Sequence, residues 1–79
     1  LLARNALGVV YQNQGKFPAA AAEFERALKI HPEFPDACFN LGVLYESEMK
    51  FKRASKYYRQ ALRINPADLE AKNRLNALQ

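Results

Sequence analysis

Leu7-Gly8-Val9-Val10-Tyr11 returns as Leu41-Gly42-Val43-Leu44-Tyr45, thirty-four residues further along the chain. Residues 1 to 34 align on 35 to 68 without a gap and leave twelve identities: Ala3/Ala37, Leu7/Leu41, Gly8/Gly42, Val9/Val43, Tyr11/Tyr45, Lys16/Lys50, Phe17/Phe51, Ala20/Ala54, Ala27/Ala61, Leu28/Leu62, Ile30/Ile64 and Pro32/Pro66. Most of these residues are apolar or small, so one packing solution is used twice. A fixed period of this length implies stacked units, each burying its apolar face only against its neighbours.

The recurring residues have a recognisable spacing. It runs Leu-Gly, two residues, Tyr; then Ala, three residues, an aromatic, two residues, Ala, four residues, Pro. The first copy supplies Leu7, Gly8, Tyr11, Ala20, Phe24, Ala27 and Pro32, and the second Leu41, Gly42, Tyr45, Ala54, Tyr58, Ala61 and Pro66. This pattern resembles the tetratricopeptide repeat. Only the large aromatic that often opens the pattern is missing, with Arg4 and Cys38 in its place. The resemblance implies an all-α chain, a right-handed α-α superhelix of five antiparallel helices. Residues 1–34 and 35–68 would be full repeats, and 69–79 a half-repeat that caps the last apolar face.

Composition sets the remaining bounds. A chain of 79 residues makes one small domain, and at this size folding hides only about 60% of the surface that the unfolded chain exposes. The sequence is 49% hydrophobic and 25% charged, which suits a folded chain, and it contains no apolar run approaching the roughly 20 residues that a membrane span needs. With no initiator Met and no signal-peptide pattern, and with Leu1-Leu2-Ala3 already inside the first helical pattern, the chain reads as part of a longer protein. The single cysteine, Cys38, rules out an internal disulfide or a Cys-rich zinc site. It reads as a small core residue and favours a reducing compartment such as the cytoplasm.

The periodicity places five helices, over residues 2–14, 18–30, 36–48, 52–64 and 69–78. The first turns Ala3, Leu7, Val10 and Tyr11 inward. In the second, Ala20, Ala21, Phe24, Ala27 and Leu28 form the buried stripe, and Glu23, Glu25, Arg26 and Lys29 are expected outside. Gly8 and Gly42 are poor helix formers and so mark close helix approach. Gly15 ends the first helix in the left-handed conformation. Met49 holds the equivalent place, where the turn either closes differently or carries strain. Between the units, His31-Pro32-Glu33-Phe34-Pro35 breaks the helix; His31 reads as solvated and Phe34 as tucked against the stack. The third helix turns Ala37, Leu41, Leu44 and Tyr45 inward, and the fourth packs through Ala54, Tyr57 or Tyr58, Ala61 and Leu62.

The resemblance further implies a concave groove, lined by the first helix of each pair, that holds a peptide or partner protein. Its residues would be Asn5, Val9, Gln12, Phe39, Asn40, Val43, Glu46, Asn73 and Arg74, with Ala6, Asn13, Ser47, Glu70 and Ala77 beside them. Amides there can give and take hydrogen bonds with an extended main chain, and Val9, Phe39 and Val43 would form an apolar centre. One branch of the family holds acidic chaperone tails in a clamp of two Lys, two Asn and one Arg. Asn40 and Arg74 fit that clamp, but Asn5 and Glu70 replace the lysines and Val9 the second asparagine, and Glu70 would repel a carboxylate. Another branch uses an asparagine ladder, which Ala6 and Arg74 interrupt here. Neither ligand class carries over.

Two other surfaces stand out. Lys50, Lys52, Arg53, Lys56, Arg59 and Arg63 occur with no acidic residue from 50 to 64, and Lys52, Lys56, Arg59 and Arg63 share one helix face. That face is either a solvated exterior or a surface for an acidic partner. Nucleic acid gains no support, because only Tyr57 stands near the stripe as a stacking aromatic. The N-terminal face has no cap in the sequence, which leaves a homo-oligomer open. One His, one Cys and no clustered carboxylates supply no acid, base and nucleophile set, so the chain reads as a scaffold without a cofactor rather than an enzyme.

Overall fold

The computed structural model describes residues 2–78, which form five helices and no strand. They are α1 (Leu2–Asn13), α2 (Phe17–Ile30), α3 (Pro35–Ser47), α4 (Phe51–Ile64) and α5 (Leu69–Ala77). The fold is an all-α helical repeat. α1 packs on α2 and α3 on α4, while α2 joins the two pairs through α3 and α5 lies against α4. α2, α3 and α4 begin one residue before the position that periodicity suggests, and the first two of these have Pro18 and Pro35 in their first turns, where a missing N–H costs nothing.

Both pairs are closed by the same turn. Gly15 has φ 76° and Met49 has φ 62°. The hydrogen bonds match as well: the amide of Lys16 donates to the carbonyl of Tyr11 at 2.9 Å, and that of Lys50 to Tyr45 at 2.8 Å. Met49 therefore adopts the glycine's geometry and carries the strain of a side chain in the left-handed region. The tight turn also has a packing consequence, because it brings the second helix of each pair onto a glycine of the first. A Cβ on Gly8 would lie 2.5 Å from Cε1 of Phe24, and one on Gly42 the same distance from Cε1 of Tyr58. The recurring glycine makes room for an aromatic ring.

The core runs through the middle of the stack. Ala20, Phe24, Ala27, Cys38, Leu41, Leu44, Ala54, Tyr58, Ala61 and Ala71 are buried, with small alanines setting the helix spacing and the two rings filling the layers. Tyr45 is buried and Tyr11 half-buried against the core. Phe17 and Phe34 are half-buried, and His31 is exposed with its ring edge-on to Phe34 at 6.5 Å.

Two expectations need correction. Glu23 is only 7% exposed, not on the outer side. It falls on the inward stripe of α2, three residues after Ala20 and four before Ala27, and is tolerated there because Arg26 donates to it at 2.9 Å and Arg4 lies 3.6 Å away. Ala3, Leu7 and Val10, expected inward, are exposed, the last two at 40% and 48%. No helix in the structure covers them in the way that α2 covers α3.

Candidate functional site

A cleft of about 340 Å³ opens where the N-terminal parts of α3 and α5 meet α1. Its walls are Asn5 from α1, Asp36, Phe39 and Asn40 from α3, and Asp68 and Glu70 at the start of α5. The helix ends decide where these carboxylates stand. Asp68 is the N-cap of α5, accepting from the amide of Ala71 at 3.1 Å, and Asp36 lies in the first turn of α3. Both are favoured there by the positive end of the helix dipole.

Two side chains bridge the pairs across the cleft floor. Nδ2 of Asn40 donates to Oδ1 of Asn5 at 3.0 Å. This single bond uses one donor and one acceptor, so Oδ1 of Asn40 and Nδ2 of Asn5 keep their capacity to accept and to donate. Phe39 is half-buried beside them, with its ring centroid 5.8 Å from that of Tyr58 and the guanidinium of Arg74 5.6 Å above it.

Behind Phe39 lies a polar chain. The Tyr58 hydroxyl donates to Glu46 at 2.7 Å, and Arg74 lies 3.5 Å from Glu46 and 3.7 Å from Glu70. Burial pushes the Tyr58 phenol well above its ordinary range, and the hydrogen bond and negative charge of Glu46 push it further. Arg74 is thus already matched by two carboxylates and covers Phe39. The cleft itself is left with three acidic groups and two amides.

Of the groove residues expected from the sequence, the structure brings Asn5, Phe39 and Asn40 together in the cleft and ties Glu46 and Arg74 into the chain behind it. Val9 and Val43 are half-buried against the core, Gln12 is half-buried and Asn73 exposed; none of these four lines the cleft. Asp36 and Asp68 were missed. The available signal was their place at helix starts, next to Pro35 and before Leu69, since the starts of alternate helices converge on this side. On α4, Lys52, Lys56, Arg59 and Arg63 are all exposed, on a helix containing no acidic residue.

A family model of the tetratricopeptide repeat matches residues 5–68. The chain belongs to that family. A solved structure of the first TPR of Spaghetti (RPAP3), bound to the HSP90 peptide SRMEEVD, superposes with a TM-score of 0.89 at 23% identity. The match covers 95% of this chain and 60% of that one, so the repeat module described here spans under two thirds of its neighbour's length. That likeness is one of fold. No curated protein matches the sequence. Within the repeat module, α1, α3 and α5 are the helices that share the cleft, and among the described residues no helix is long and apolar enough to cross a membrane.

Proposed function

We propose that this repeat module is a protein-interaction scaffold whose cleft between α1, α3 and α5 takes an extended segment of a partner protein, and that the segment is cationic rather than acidic. The Asn40–Asn5 amide pair carries this reading. It presents one acceptor and one donor side by side to a passing main chain, on the floor of a cleft walled by Phe39. The charge preference is supported by Asp36, Asp68 and Glu70, which would repel a carboxylate and attract a Lys or Arg side chain. Arg74, which lies over Phe39, is held by Glu46 and Glu70. The neighbouring structure binds an acidic peptide; of the five clamp positions that the resemblance implies for such a ligand, this chain keeps Asn40 and Arg74 and has Asn5, Val9 and Glu70 at the other three.

Calorimetric titration tests the proposal with two seven-residue peptides, SRMEEVD and a counterpart carrying lysines in place of its acidic residues. The lysine peptide is expected to bind, and Asn40→Ala to weaken it by about 1 kcal/mol. The triple change Asn5→Lys, Val9→Asn, Glu70→Lys should reverse the preference. Tighter binding of SRMEEVD to the unaltered chain would overturn the charge assignment, and an Asn40→Ala variant that binds as before would remove the cleft from the account. A second reading, assembly of chains through the α1 face, is favoured by the exposure of Leu7 and Val10. A molecular mass that rises with concentration, without peptide binding, would select it.

A further inference from the structure

The outward face of α4 lies apart from the cleft, and its chemistry is of the opposite sign. Lys52, Lys56, Arg59 and Arg63 fall at steps of four, three and four residues, making a nearly straight row about 16 Å long. All four are exposed. Gln60 joins Lys56, Arg59 and Arg63 around a shallow recess of about 340 Å³. We infer that this row docks an acidic segment of a partner protein.

Packing does not demand the row. α2 is the equivalent helix of the first pair, and at the matching positions it carries Pro18, Ala22, Glu25 and Lys29. The same fold therefore accepts an outer face with a single cation. Nor do internal ion pairs demand it. Arg4, Arg26 and Arg74 each meet a carboxylate, whereas among the described residues no carboxylate lies within ion-pair distance of the four cations on α4. Lys56 does lie over the Tyr57 ring, at 5.5 Å. Four unmatched charges on one line cost self-repulsion, which an incoming run of carboxylates would relieve.

The neighbouring residues favour a protein over other anions. Insertion into a bilayer surface needs apolar side chains beside the cations, and the exposed Phe51 stands roughly 100° around the helix from the row. A single-stranded nucleic acid needs open aromatic faces, but Tyr57 is stacked on Tyr45 at 5.7 Å and carries the Lys56 ammonium over its ring. An extended acidic stretch needs about five residues, at 3.3 Å each, to run the length of the row.

The test titrates the full chain with deca-glutamate, a short DNA duplex and equimolar phosphatidylserine–phosphatidylcholine vesicles at the same ionic strength. Deca-glutamate is expected to bind best and to weaken as salt rises. Lys56→Glu with Arg59→Glu should lower its affinity about tenfold or more, while Lys16→Glu with Lys72→Glu, an equal change of net charge elsewhere, should lower it less than about threefold. Circular dichroism confirms that both variants remain helical. Equal losses in the two variants would show a net-charge effect and overturn the inference. So would tighter binding of the duplex or the vesicles, or no binding of deca-glutamate.

Discussion

The two helical pairs share twelve identities, yet the same residue does different work in each. Leu41 and Leu44 are fully buried between α2 and α4, whereas Leu7 and Val10, at the equivalent places, are nearly half exposed. The first pair holds Arg4 against a buried Glu23 where the second has Cys38 and a half-buried Tyr57. Phe24 fills the first layer with a plain ring. Tyr58 fills the second with a ring whose hydroxyl reaches Glu46 and, through it, Arg74. Identity of sequence thus fixes how each pair closes on itself. What a pair contributes depends on which neighbours it meets, and the pair packed on both sides carries most of the core and half of the cleft's walls.

The sharpest way to break this comparison is to remove the same leucine from each pair. Leu41→Ala should cost about 3 kcal/mol, from lost burial and the cavity left behind, and Leu7→Ala about 1 kcal/mol or less, as read by urea denaturation. Equal losses would mean that the α1 face is as enclosed as the α3 face. The glycines come next and should behave alike. Gly8→Ala and Gly42→Ala each place a methyl group against a fully buried ring, at an expected cost of about 2 kcal/mol after the better helix propensity is counted.

The turns should move in opposite directions by a smaller amount. Met49→Gly should raise stability by about 1 kcal/mol, and Gly15→Ala should lower it by about as much, both seen as shifts in melting temperature. The last effect is absent at neutral pH and belongs to alkaline pH and the second pair. Burial raises the Cys38 thiol from its ordinary 9.0 to about 11, against a partial offset from Arg63. Below pH 9 the thiol is protonated in both states. From pH 9 to about 11 the unfolded chain releases the proton while the folded chain keeps it, so stability falls as pH rises through that window. The buried Tyr58 acts in the same direction from about pH 10 upward. Cys38→Ala should therefore flatten part of the slope measured by denaturation.

Much of the fold was legible because it rests on local rules written twice. The Gly8/Gly42 match announced a close approach, and Gly15 announced the turn that Met49 copies. Glu23 was misread because its charge was weighed above its position; the period placed it inward, and Arg4, the residue that makes burial tolerable, stood nineteen positions earlier. The cleft was legible only in part, since Phe39 and Asn40 sit on a recognisable helix face. Asp36 and Asp68 stand at helix starts and become walls of one cleft only when α1, α3 and α5 are placed together. The engagement of Arg74 with Glu46 depends on contacts between separate helices, which no spacing along one helix reveals.

The central claim is that a partner segment enters between α1, α3 and α5 and is drawn there by negative charge. It is tested most directly by following backbone and side-chain amide resonances while the lysine-bearing peptide is added. The account predicts that the largest shifts fall on the side-chain amides of Asn5 and Asn40 and on the backbone amides of Asp36, Phe39 and Glu70, and that they shrink when Asp36→Asn and Glu70→Gln are introduced together. Shifts centred on α4 or on Leu7 and Val10, or shifts unaffected by removing the two charges, would contradict it.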